Sequence, residues 1–313
     1  MTLSDTMEPM EPTEPLDVRP PAHTGDVSPG LRMPGASWWL VLLACVSGVV
    51  GVYTVFVASD AGQLLEYQVF HAVEDRYGDA TGSVERLVTL LPPASAVAAG
   101  LAALAALLIP ADRGPGRRRG ALALALLAGA NLSAQVLKDV LPRPDLDNGV
   151  PWTSGNSLPS GHMTLATSAA LALLILVPAR WRPPVAFAGA LLTAFTGAAA
   201  YLEAWHRPSD MAAAALMGGA WALLAVPFVH ARRDRPAGRS RQGAHVAPLL
   251  GGAAVLGLAA GSVALASTLG SPAVTSDAEP MAGVAGVLLS ACPPVLVIGV
   301  VLDQLRRAGA RRS

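Results

Sequence analysis

Long apolar runs alternate with short polar segments over most of the chain. Eight runs have roughly the 17 to 25 residues that a helix needs to cross about 30 Å of hydrocarbon. The runs lack the alternating polarity of a spanning barrel strand, and unpaired backbone groups are costly in lipid. The pattern therefore predicts an all-α, polytopic membrane helix bundle, with spans at 38–59, 87–109, 120–140, 163–177, 185–204, 210–229, 246–267 and 283–302.

The composition agrees with this class. Hydrophobic residues make up 52% of the chain and charged residues only 14%, which is too apolar for an ordinary soluble protein of this length. The two cysteines, Cys45 and Cys292, both fall within predicted spans, so no disulfide framework or thiolate metal site is expected. The lipid bilayer is the expected environment, and a nucleic-acid partner is not expected.

The positive charges are distributed unevenly between the two sides of the predicted bundle. Of the 22 lysine and arginine residues, 17 fall on the side that carries both termini, and five fall on the other side. The positive-inside rule then places both termini in the cytoplasm of a protein of the cytoplasmic membrane. Loops 141–162 and 205–209 are accordingly expected on the outer face.

Two segments on that outer side hold most of the reactive side chains. The first contains Lys138, the only lysine in the chain, and Arg143, which Pro144 keeps out of a helix. A point cation and a planar guanidinium group together suit a phosphate group. Lys138 alone could equally be a cation that extends from a span towards the membrane interface.

The same segment ends in Ser160, Gly161 and His162, directly before an apolar run. Serine is a good N-cap and glycine allows close backbone approach, so a helix is predicted to start here with its amino end outside, where free N–H groups can bind an anion. The second segment, which leads into the span at 210, is expected to offer the same kind of helix start.

His206 and Asp210 in the second segment are four residues apart. A carboxylate in the first turn of a helix can fold back to the imidazole, fix its tautomer and leave the other ring nitrogen nucleophilic. A metal site is the competing interpretation, because Asp145, Asp147, His162, His206 and Asp210 could supply ligands. The cationic neighbours Lys138, Arg143 and Arg207 argue against a divalent cation.

These residues resemble the signatures of the type 2 phosphatidic acid phosphatases (PAP2), membrane lipid phosphatases that share their site with vanadium haloperoxidases. The sequence Pro-Ser-Gly-His at 159–162 is similar to the second family signature in full, and His206 to Asp210 to the end of the third. In the first signature the chain has four residues between Lys138 and Arg143, where the family has six.

A second departure concerns the third signature, in which Ser-Arg normally precedes the histidine. Here Ala199 and Ala200 stand at those positions, so the phosphate-clamping arginine of the family is missing. Arg207, directly after His206, is the candidate replacement for its charge. Without a replacement, transition-state stabilisation is expected to weaken by several kcal/mol.

The resemblance implies a metal-independent phosphatase without cofactor. His206 would attack phosphorus, Asp210 would orient it, and His162 would act as general acid and then base. Lys138, Arg143, Ser160, Gly161 and Arg207 would bind the phosphoryl oxygens. The expected substrate is a lipid phosphate or a polyprenyl diphosphate. A phosphotransferase with the same intermediate, and an inactive transporter or scaffold with the same fold, remain open, as does the oligomeric state.

The resemblance also divides the chain. It implies a six-span PAP2-like catalytic core at 37–230, followed by two further membrane helices. We expect the regions on either side to be a disordered cytoplasmic tail at 1–36, a basic loop at 231–245, the additional spans at 246–302 and a basic tail at 303–313.

Overall fold

The computed structural model describes residues 35–77, 82–108, 116–150, 156–229, 243–268 and 279–310. Within these ranges the chain forms nine α-helices and no strand: α1 Ala36–Val52, α2 Asp60–Tyr77, α3 Gly82–Leu108, α4 Gly116–Val140, α5 Gly161–Leu176, α6 Arg182–Leu202, α7 Pro208–Val229, α8 Val246–Thr268 and α9 Glu279–Ala310. A π-helical turn, Tyr53–Val57, extends α1. The predicted tail at 1–36 and loop at 231–245 lie almost wholly outside the described residues.

The all-α polytopic prediction is confirmed. Each of the eight predicted spans coincides with a helix, and seven helical segments are long and apolar enough to cross a membrane. The eighth, α5, is apolar but has only 16 residues. The boundaries differ most at α9, which was predicted to end at 302 and continues to Ala310. Helix α2 was not predicted at all.

Helix α5 lies in the centre of the bundle. It packs against α3, α4, α6, α7 and α9, and most of its side chains are buried. Small residues make close packing possible: the buried positions of α3 and α4 include several alanines, such as Ala103 and Ala130. Because neighbouring helices surround α5, it has no need of the length of a lipid-exposed span.

The outer surface of the bundle is apolar in the way that a lipid-facing surface requires. Large hydrophobic side chains are exposed on α1, α3, α4 and α8, among them Leu40, Leu101, Leu132 and Leu256. In water such a continuous surface would be an unusual liability. Its presence on several helices agrees with the membrane assignment.

Two buried arginines mark the end of the bundle opposite the motif segments, the two stretches at 138–162 and 206–210 that carry the candidate site residues. Arg119 at the start of α4 donates to the carbonyl of Val229, the last residue of α7, at 3.2 Å. Arg182 donates to the carbonyl of Leu174, near the end of α5, also at 3.2 Å. Cations are favourable at the carboxyl ends of helices, so these contacts stabilise that end of the bundle.

The C-terminal helix α9 is an integral part of the bundle. It packs against α6 and α7 as well as α8 and also contacts α2. The fully buried Tyr201 of α6 joins these elements, because its hydroxyl lies 2.7 Å from the carbonyl of Val69 in α2 and 3.4 Å from that of Ala282 in α9. Gly286 of α9 faces the Tyr201 ring so closely that a β-carbon would collide with it.

Candidate active site

The carboxyl end of α4 meets the amino end of α5. A β-carbon built on Gly161 would lie 3.7 Å from the Lys138 ammonium nitrogen. Lys138 therefore reaches the first turn of α5 despite the shortened spacing of its motif. Its charge lies beside a helix amino end, where an anion is already favoured.

Ser160 caps α5 as the sequence predicts. Its side-chain oxygen accepts the N–H of Met163 at 3.3 Å, and its carbonyl accepts the N–H of Thr164 at 3.0 Å. The N–H groups of Gly161 and His162 precede these two in the first turn and have no acceptor within the helix. They are the donors that α5 presents to an anion.

His206 and Asp210 pair directly. The distance from His206 Nδ1 to Asp210 Oδ2 is 3.2 Å, and the carboxylate is only 1% exposed. The same oxygen accepts the backbone N–H of Arg207 at 3.0 Å. A carboxylate in the third helical position that bonds back to the residue before the helix is one half of a capping box. Asp210 thus fixes the turn and the histidine together.

A backbone hydrogen bond joins the two motif segments. The N–H of Ser160 donates to the carbonyl of Asp210 at 3.1 Å, so the first turns of α5 and α7 are held side by side. His162 lies close enough to both His206 and Lys138 for electrostatic interaction. The structure thereby brings together at one end of the bundle the residues that the sequence placed 44 positions apart, at 162 and 206.

The turn before His206 is shaped by its backbone. Ala204 adopts a left-handed conformation, with φ of 52°, which is unfavourable for a residue with a β-carbon. The N–H groups of Trp205 and His206 both reach the carbonyl of Ala200. The centres of the Trp205 and His162 rings are 5.3 Å apart, so Trp205 forms a wall of the site.

Ala200, at the position of the missing family arginine, is fully buried. It packs with Val88, Met163 and Met211 in an apolar cluster against which Trp205 also lies. A long cationic side chain would have to displace this cluster. Apolar side chains therefore pack around the position where the family has its arginine.

Arg207 is held by side chains from two other parts of the chain. Its Nη1 donates to Ser157 Oγ at 3.2 Å, and its guanidinium carbon lies 5.3 Å from the centre of the Phe70 ring. Its buried Nε has no hydrogen-bond partner among the described residues. The guanidinium is thus held by two neighbours and keeps its Nε–H for a further acceptor.

Arg143 belongs to a loop that α2 and the π-helical turn hold in place. The Tyr53 hydroxyl donates to the carbonyl of Pro142 at 2.8 Å, and the Gln63 amide donates to the carbonyl of Pro144 at 3.0 Å. Burial and the neighbouring Arg207 charge lower the pKa of Arg143 from its ordinary value, and the nearby carboxylates oppose this shift. Two guanidinium groups therefore share one partly buried region.

Glu66 of α2 is a buried carboxyl group in the site that sequence reasoning missed. It is 4% exposed, its Oε1 accepts the N–H of Ser209 at 3.2 Å, and its Oε2 has no partner among the described residues. Burial, together with the Asp210 charge, raises the pKa of Glu66 to about 7. The only signal in the sequence is a glutamate between the spans predicted at 38–59 and 87–109, in a helix that the apolar pattern does not predict.

The sequence predicts an anion site at the amino end of α7, the helix that follows His206. The structure differs, because the backbone donors there already have acceptors. The N–H groups of the first turn of α7 are occupied: Asp210 takes that of Arg207, and Glu66 takes that of Ser209. Pro208 has no N–H group. Two carboxylates cap α7, so α5 is the helix that can offer backbone donors to a phosphate.

The acidic residues of the loop after α4 do not approach the two histidines as a ligand set. Asp145 and Asp147 are exposed, and the Asp147 N–H donates to Asp145 Oδ1 at 3.1 Å. Across the described ranges, no three His, Cys, Asp or Glu side chains are grouped closely enough to hold a metal ion.

The fold defines an all-α membrane protein that gathers cations, a capped helix and a paired histidine at one end of its bundle. Residues 119–234 match the model of the PAP2 superfamily, and this part of the chain belongs to that superfamily. The match includes α4 to α7 and both motif segments, and leaves α1 to α3, α8 and α9 outside. Neither the curated proteins nor the solved structures include a significant match. The superfamily assignment supports phosphatase-type activity.

Proposed function

We propose that this protein hydrolyses a lipid phosphate or a polyprenyl diphosphate at the outer face of the membrane, through a phosphohistidine on His206 and without a metal ion. The observation that carries the proposal is the pairing of His206 with Asp210 beside the capped start of α5. The Ser160–Asp210 backbone bond holds these two elements together.

In the first step, His206 Nε2 attacks phosphorus with its lone pair, while Nδ1 keeps its proton and donates it in the hydrogen bond to Asp210 Oδ2. The bond from phosphorus to the leaving oxygen breaks, and protonated His162 gives its proton to that oxygen. Asp210 stabilises the positive charge that the phosphorylated ring acquires. This role fits a carboxylate that is almost fully buried and already accepts two hydrogen bonds.

In the second step, neutral His162 takes a proton from a water molecule, and the resulting hydroxide attacks phosphorus. The bond to His206 Nε2 breaks, inorganic phosphate leaves, and His162 is again protonated for the next cycle. Lys138, Arg143, Arg207 and the N–H groups at the start of α5 face the charge that develops on the phosphoryl oxygens. Donors fixed in advance in this way are the largest source of stabilisation in comparable sites.

The experiment is phosphate release by the purified full-length protein in EDTA, with phosphatidate, phosphatidylglycerophosphate and a polyprenyl diphosphate as substrates. His206→Ala is expected to abolish release, because no other group supplies the nucleophile. His245→Ala is the matched control, since His245 is exposed just before α8 and outside the site. Equal rates in wild type and His206→Ala would refute the proposal.

The same assay separates the other activities of this chemistry. A phosphotransferase would place the labelled phosphate on a sugar or lipid acceptor instead of releasing it to solution. A transporter or scaffold would show no turnover of any of the three substrates. Acid-labile phosphate on the wild-type protein, absent from His206→Ala, would identify the intermediate.

A further inference from the structure

One side of α2 faces the residues that would bind phosphate, although α2 lies outside the segment that matches the superfamily. Gln63, Glu66 and Phe70 are three and four residues apart and so share one side of the helix. Gln63 holds the loop that carries Arg143, through the carbonyl of Pro144. The Asn148 amide in turn donates to Gln63 Oε1 at 3.3 Å.

Phe70 and Glu66, on the same side of α2, contact Arg207 and the helix start that follows it. The Phe70 ring lies under its guanidinium group, at a distance where a cation and an aromatic face attract each other. Glu66 caps the helix that begins directly after Arg207, and its charge interacts with Arg207 and Arg143. Helix α2 therefore touches Arg207 and its turn through a ring, a hydrogen bond and a charge.

The contacts of α2 with Arg207 coincide with the absence of an arginine at position 200. The arginine expected there by resemblance would have been supported by α6, but that position is apolar and buried. A guanidinium group on the loop after α6 needs a different support, because a flexible cation contributes little to a transition state. Among the described residues, Phe70, Glu66 and Ser157 contact this turn and its guanidinium.

We propose that Glu66 and Phe70 are positioning residues that hold Arg207 in the role of the arginine missing at Ala200. The proposal rests on the proposed function for the identity of the reaction, although the binding of an oxyanion can be measured without turnover. Its prediction is specific: substitutions at Glu66 and Phe70 weaken phosphate binding only as long as Arg207 is present.

The test is a double-mutant cycle on the purified full-length protein, with inorganic phosphate as the probe and thermal stabilisation as the measure of binding. Glu66→Gln keeps the shape and the acceptor for Ser209, and Phe70→Leu keeps an apolar side chain without a ring. Each is made in wild type and in Arg207→Ala. Tyr67→Leu is the matched control on the same helix, because the Tyr67 ring stacks on His71.

In the wild-type background, Glu66→Gln and Phe70→Leu are each expected to weaken phosphate binding roughly 3- to 10-fold, as the loss of a charge partner or a cation–π contact implies. In the Arg207→Ala background, the same substitutions should change it less than about twofold. Tyr67→Leu should have no effect in either background. Where turnover is measurable, kcat should fall more than KM rises, since a positioned arginine acts on the transition state.

Equal losses in both backgrounds would overturn the proposal, as would unchanged binding in Phe70→Leu. Tighter binding in Glu66→Gln would also overturn it, since that result means that the carboxylate merely repels the anion. If Glu66→Gln does not fold, the Phe70→Leu cycle decides alone. Phosphate binding with the expected cycle but no turnover of any lipid phosphate would refute the proposed function and leave this inference standing.

Discussion

Replacing Asp210 by asparagine removes a buried negative charge and leaves the shape of the side chain. Asp210 Oδ2 accepts two hydrogen bonds, from His206 Nδ1 at 3.2 Å and from the Arg207 N–H at 3.0 Å. Bonds to a charged group contribute about 1.5–3 kcal/mol each, and neutral ones about 0.5–1.5 kcal/mol. An asparagine oxygen at the same place therefore loses roughly 2–3 kcal/mol over the two bonds.

The charge is needed most when His206 becomes cationic, so much of this loss is expected to appear in the rate. At about 1.4 kcal/mol for each factor of ten, kcat should fall roughly 30- to 150-fold. KM should change much less, because the bonds do not contact the substrate. The measurement is steady-state phosphate release from the best substrate of the panel described above.

Asp303→Asn is the matched control for this substitution. Asp303 also pairs with a cation four residues away, Arg307, but this pair is exposed near the end of α9. An exposed pair contributes only about 0–1 kcal/mol, so kcat should stay within about twofold of wild type. A kcat for Asp210→Asn within threefold of wild type would refute the role given to the carboxylate.

Three further results are expected. Gly286→Ala, which drives a methyl group into the Tyr201 ring, should lower the free energy of unfolding by about 1–3 kcal/mol in a denaturation assay. Its control is Gly283→Ala, which should be nearly neutral because no atom lies within 4 Å of the added carbon. Gly161→Ala should fold normally, since its nearest contact is 3.7 Å, but lose about tenfold in kcat/KM because the backbone donors of α5 become less accessible. The raised pKa of Glu66 means that the native state holds this proton more tightly than the unfolded state, so stability should fall as pH rises from about 4.5 through about 7; in Glu66→Gln the melting temperature should decline less over that interval.

The sequence was sufficient for the bundle and for both motif segments because each rests on local signals. Apolar runs of spanning length identify helices one by one, and a serine before glycine and histidine identifies the start of α5. The pairing of His206 with Asp210 is likewise a contact within a single helical turn, so its geometry follows from the spacing.

Helix α2 and Glu66 were beyond the reach of the sequence for a physical reason. The segment is neither apolar enough to appear as a span nor clearly amphipathic, and its folding depends on contacts with α6, α9 and the π-helical turn. The capping of α7 by Glu66 joins residues 143 positions apart. Without α2, the sequence predicted free N–H donors at α7, and it could not indicate what supports Arg207.

The hydroxyl of Tyr201 binds main-chain carbonyl groups of both α2 and α9, five residues before the proposed nucleophile. Main-chain acceptors are present whatever side chains those helices carry, so the two hydrogen bonds constrain the position of the helices without depending on the side chains of Val69 and Ala282. The hydroxyl therefore ties both outlying helices to the turn before His206, in addition to the side-chain contacts that Glu66 and Phe70 of α2 make there. A version of this chain that kept only residues 119–234 would leave that hydroxyl without both acceptors, and engineering of this segment has to carry α2 and α9 with it.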